Sequence, residues 1–171
     1  GFRFNQPVSP AAIAPHLRGE FQPHDWQAPA YQKEILARLA LEDPRAFMDF
    51  QTKVAATLKV AKANTPVPLK LAKEWDEKKF PKEALWVVFE TEGVPPPESW
   101  IRAELDGKAP SLGGPEVSGT HDAYTFQLEP AFFVSGLECA NQCSVEFWNG
   151  VNFRTAVRTQ DSRAAMTVWD I

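Results

Sequence analysis

No run of apolar residues in this 171-residue chain approaches the ~20 that a membrane-spanning helix requires, so no membrane span is expected. A basic excess is missing too. The formal net charge is −4, against the strong positive balance of a typical nucleic-acid binder, so nucleic acid is not an expected partner. Cysteine and histidine are scarce: Cys139 and Cys143 are the two thiols, and His16, His24 and His121 the three imidazoles. Two thiols with no histidine near them in sequence are too few for a structural zinc site. Their C-x-x-x-C spacing is not the C-x-x-C of redox centres. The G-x-S-x-G elbow, the H-E-x-x-H helix, the phosphate-cradling glycine loop and the dinucleotide fingerprint are all missing. No cofactor or metal is therefore expected.

The hydrophobic fraction of 44% and charged fraction of 23% are ordinary for a globular chain, long enough to bury a real core. Charge is unevenly spread. Arg45 to Lys82 holds nine basic and four acidic residues, whereas Ala84 onward holds five basic and twelve acidic. That pattern reads either as a basic face for an anionic partner or, the favoured reading, as a solvated helical surface that partly complements an acidic β half.

The pattern predicts an α+β fold within a single domain, residues 1–171. Residues 1–29, with Pro7, Pro10, Pro15, Pro23 and Pro29, read as an extended apolar strap. Residues 30–82 read as helical. Tyr31, Ile35 and Leu39 share one helix face, and Asp43-Pro44 ends that helix and caps the next. Phe47, Phe50, Val54, Leu58 and Ala61 then recur at helical spacing, giving a helical hairpin, with a short third helix over 69–82. Residues 84–171 read as an antiparallel β-sheet or β-sandwich on which the helices pack. Its expected strands are Leu85–Phe89, Trp100–Leu105, an antiparallel ribbon over Tyr124–Val157 and a closing strand over 165–169.

Within the ribbon, Tyr124, Phe126 and Leu128 alternate with Thr125 and Gln127, which predicts one buried face. A three-residue turn, Trp148-Asn149-Gly150, would set Phe147 opposite Val151 and keep that face apolar. Cys139 and Cys143 flank a tight turn, and such a pair suits a disulfide that stiffens a hairpin in an oxidising compartment. That points to an extracytoplasmic location, periplasmic or secreted.

The leading functional expectation is a non-enzymatic binding or assembly module acting through protein–protein contacts, with a protein partner or self-association. Its expected contact residues are Trp148 and Asn149 at a turn tip, Trp100 after Pro95-Pro96-Pro97, and His121 and Asp122 on the long 108–122 loop. Two other readings use the same residues. Ser118-Gly119-Thr120-His121-Asp122 offers hydroxyl, imidazole and carboxylate to a hydrolase-like enzyme, although turn chemistry explains that composition as well. Trp100 and Trp148 could form the flat aromatic platform of a carbohydrate-binding module.

Overall fold

The computed structural model describes residues 1–31, 33–114, 116–130, 134–138 (backbone only) and 150–160. The fold is α+β, and among the described residues every strand pairing is antiparallel. Chain contacts divide it into two compact units, Gly1–Trp26 with Ala55–Leu128, and Gln27–Val54 with Glu129–Ile171.

The first unit is built on a four-stranded sheet. Its strands are β2 (Leu17–Gln22), β3 (Thr65–Pro66), β7 (Trp100–Leu105) and β8 (Asp122–Gln127), in the order β3-β2-β7-β8. The strap expectation is therefore corrected at its centre. Prolines cluster before residue 16 and after residue 22, and the proline-free window between them forms an inner strand. Leu17, Gly19 and Phe21 are buried there while Arg18 and Glu20 face out, the period-two signature of a half-buried strand. Upstream, Pro10 opens a single helical turn, α1 (Pro10–Ile13), where its missing N–H costs nothing. Ile13 at its end is 1% exposed.

Two short ribbons accompany the sheet. In one, β1 (Phe2–Arg3) pairs with β5 (Trp86–Val87); in the other, β4 (Leu69–Leu71) pairs with β6 (Phe89–Thr91). The expected strand over 85–89 thus splits at Val88 because its two halves take different partners. The third helix expected over 69–82 is not formed. Leu69 and Leu71 alternate inward around Lys70 as a strand, and beyond them Asp76 captures the Lys78 N–H at 3.0 Å. An aspartate that bonds its own following backbone competes with a helix, so the segment turns instead. Trp75 secures the turn by donating its indole N–H to the Phe80 carbonyl at 2.6 Å.

One core cluster joins Val8, Ile13, Leu17, Val87, Leu105 and Ala109, and a second joins Phe21, Val60, Val67 and Ile101. A buried polar knot sets the entry into β7. Thr57 Oγ1 donates to the Pro97 carbonyl at 3.1 Å, Ser99 Oγ donates to the Pro96 carbonyl, and the Trp26 indole donates to the Glu98 carboxylate. Glu98 itself sits at φ 59, a left-handed conformation that costs a non-glycine residue energy and persists because these bonds hold it.

In the second unit α2 (Lys33–Glu42) leads to α3 (Pro44–Ala61), whose residues 44–54 belong to this unit and 55–61 to the first. Asp43 caps α3 as the sequence indicates, accepting the Ala46 N–H at 3.0 Å. Tyr31 and Phe50 meet edge to face at 5.3 Å. Burial pushes the Tyr31 phenol above its ordinary pKa, partly offset by the Arg154 cation. Strands β9 (Val134–Glu138) and β10 (Gly150–Phe153) pair with Val151 opposite Leu137. The turn expected at 148–150, the Cys139–Cys143 pairing and the closing strand over 165–169 lie wholly or partly outside the described residues. Among those that are described, no helix is long and apolar enough to cross a membrane.

Candidate functional site

The inward face of the four-stranded sheet can be read row by row from its register. Leu17, Leu105 and Asp122 form one row, Gly19, Ala103 and Tyr124 the next, and Phe21, Ile101 and Phe126 a third. Over β2 and β7 this face is buried. At β8 the cover stops: all six residues of that strand are exposed, Tyr124 at 57% and Phe126 at 47%. The face that the Tyr124/Phe126 alternation marks for burial is thus apolar and open, which corrects the expectation of a buried strand.

The open margin forms a cleft of about 550 Å³ within the first unit. Phe2, Trp86, Phe89, Tyr124 and Phe126 bring aromatic rings to it, and Leu17, Leu69 and Ala103 add aliphatic surface. Phe2 stands edge-on to Phe89 (6.2 Å) and to Tyr124 (5.9 Å), so β1 helps to hold β8 in line with the β4–β6 ribbon. Arg3 and Glu90 are the charged lining residues, and Glu90 is paired across the ribbon with Lys70 at 3.2 Å. Among the described residues the lining carries no histidine, cysteine or serine. The lining is largely apolar with a polar margin, the character of a ligand-binding concavity.

Of the residues singled out from the sequence, those that are described, Trp100, His121 and Asp122, do not line this cleft. Trp148, Asn149, Cys139 and Cys143 lie outside the described residues. Trp100 opens β7 on the opposite, polar face of the sheet, 37% exposed, its ring 6.4 Å from that of His24. His121 Nε2 faces Glu104 Oε2 at 3.7 Å rather than the neighbouring Asp122. Asp122 accepts a long bond of 3.4 Å from Thr120, and Ser118 Oγ donates to the Thr120 carbonyl at 3.3 Å. The Ser118 and Thr120 hydroxyls and the Asp122 carboxylate thus bond within the local turn, while the imidazole faces Glu104 on β7 instead of either hydroxyl. Trp100 and Glu104 stand four residues apart on β7, about 13 Å at the rise of a strand, so the tryptophan and the His121 end of that face are also separate.

One further histidine–carboxylate pair stands apart from the cleft. His16 Nδ1 lies 2.9 Å from Asp106 Oδ1, beside the backbone bond from the Asp106 N–H to the His16 carbonyl. The Lys108 N–H, and then His16, hold the Asp106 carboxyl below the usual carboxylate range. The pair clamps the ends of β2 and β7, and its two side chains already satisfy each other. Among the described residues no group of three potential ligands could hold a metal ion.

The groove was missed because alternation tells which face is apolar, not how far its cover extends. The signal present in the sequence was the wide Tyr124-x-Phe126 pattern on a strand beside a ribbon too short to roof it. Compared with protein-family models, with curated proteins and with solved structures, the chain matches none of them.

Proposed function

We propose that this chain is a non-enzymatic binding or assembly module that acts through protein–protein contacts, taking an extended apolar segment of a polypeptide partner. One observation carries the reading: an aromatic cleft of about 550 Å³ lies directly beneath an outer strand whose own side chains line it. That combination supports strand addition, in which main-chain bonds to a sheet edge give affinity and every second side chain enters an apolar pocket. Trp148, Asn149, Trp100, His121 and Asp122, the contact residues expected from the sequence, do not carry this proposal.

Selection of phage-displayed random peptides on the full chain tests it. The expected product is a set of peptides with apolar residues at alternate positions. Their affinity should fall at least about tenfold for Phe126→Lys, as for loss of a central apolar anchor, with the far-ultraviolet circular dichroism unchanged. Selected peptides that bind Phe126→Lys as well as the parent, or no enrichment at all, would remove the reading.

The module is proposed to work outside the cytoplasm. The closely spaced Cys139 and Cys143, with no other thiol in the chain, support that location. Alkylation without reductant, followed by mass spectrometry, should leave both cysteines unmodified. Two labelled thiols in protein isolated from an oxidising compartment would count against both the disulfide and the location.

A further inference from the structure

We infer that the partner of this edge is a second copy of the same chain, joined by antiparallel pairing of β8 with β8 about a two-fold axis. The inference rests on the strand-addition reading above and names the strand that is added.

Among the described residues β8 pairs with no strand other than β7, and one bond shows which of its groups face outward. Leu128 donates its N–H to the Ser99 carbonyl at 2.9 Å, and the β7–β8 register continues through that pair. Hydrogen-bonded pairs alternate along an antiparallel ladder, so Phe126, Tyr124 and Asp122 are the residues bonded to β7. The N–H and C=O groups of Ala123, Thr125 and Gln127 then point the other way, to the outer edge. Nothing in the strand defends that edge. It contains no proline, no lysine and no bulge, and its one charge, Asp122, lies at the end.

The strand is also complementary to itself. Centring the two-fold axis on Thr125 sets Thr125 opposite Thr125, Ala123 opposite Gln127 and Tyr124 opposite Phe126. Every edge-facing residue then meets another edge-facing residue, and the apolar faces of the two copies stay on one side. Threonine opposite threonine and aromatic opposite aromatic are favourable cross-strand pairs. Moving the centre to Tyr124 sets Asp122 against Phe126, and moving it to Phe126 sets Asp122 against Pro130, beyond the strand. The Thr125-centred register overlaps the two strands over Ala123–Gln127 and alone of the three sets Tyr124 against Phe126. It joins two aromatic clefts side by side, and the contact is isologous, so it closes at two copies.

A six-residue ribbon is only about 20 Å long, so the contact falls short of a standard interface and the dimer should be weak and reversible. Sedimentation velocity of the full chain over about a hundredfold range of concentration should show a monomer–dimer equilibrium. Thr125→Pro removes an outward N–H and leaves the ladder to β7 intact; proline is tolerated on such an edge. It should shift the dissociation constant at least about tenfold toward monomer, as should Phe126→Lys, both with native circular dichroism. A parent chain that stays monomeric throughout overturns the inference, and so does a dimer unchanged in either folded variant. A monomeric parent that still binds selected peptides overturns self-pairing alone and leaves the strand-addition reading in place.

Discussion

Ile101→Ala should destabilise the fold by about 2–5 kcal/mol, a large share of the roughly 5–15 kcal/mol that holds a domain together. Ile101 is 1% exposed on an inner strand, between Phe21 on β2 and Phe126 on β8. It packs in a cluster with Phe21, Val60 and Val67, and with the partly buried Leu69 and Leu128. Truncation removes three carbons from a site walled by two sheet ladders, and ladders collapse poorly into a void. The cost should therefore lie toward the upper part of that range. Urea unfolding monitored by tryptophan fluorescence measures it, with the slope unchanged if only stability is altered. A loss under about 1 kcal/mol would mean that this cluster is not the core of the unit. Phe126, directly across the ladder from Ile101, is the informative contrast. Half of its surface is already in water, so truncating it should cost much less stability, and its effect should appear in binding instead.

That contrast also measures what was legible in the sequence. Helix periodicity and the Asp43-Pro44 cap located α2 and α3, because both signals are local and nothing in the tertiary structure opposes them. Trp100–Leu105 was legible for the same reason: Ile101, Ala103 and Leu105 alternate with polar residues and are buried. Leu17–Gln22 was obscured because proline density over 29 residues says nothing of a six-residue window without proline. At 69–82, a helical spacing of Leu69, Ala72 and Trp75 was overridden by pairing with β6 and by the Asp76 turn. The sequence pattern marks Trp148, at an expected turn tip, and Trp100, after a proline run, as contact residues. The aromatic groove instead depends on where a two-stranded ribbon ends over a four-stranded sheet, a non-local fact. Phe2, Trp86 and Tyr124 are far apart in sequence, and no spacing rule brings them together.

Gly19→Val should cost about 1–3 kcal/mol and also narrow the groove, linking stability to function at one position. Gly19 lies on the buried face of β2 where residues 67–69 cross it, and its carbonyl accepts the Val67 N–H at 2.8 Å. A Cβ there would stand 3.0 Å from the Val67 carbonyl oxygen and 3.0 Å from Leu69 Cδ1. The oxygen belongs to the backbone and cannot rotate aside, so the crossing segment must lift. Alanine asks for a shift of a few tenths of an ångström, and its smaller unfolded-state entropy returns about 0.4–1 kcal/mol. Gly19→Ala should therefore be near neutral. Valine adds two methyl groups at the same place and has no such compensation. Since Leu69 lines the aromatic cleft as well as packing on the core, its displacement moves apolar atoms into the space a ligand would fill. The expected pair of results is a lowered unfolding midpoint and weakened peptide binding for valine, and neither for alanine. Valine tolerated without loss of stability would show that the crossing segment has room to move, and the close approach at Gly19 would then not set the height of the groove.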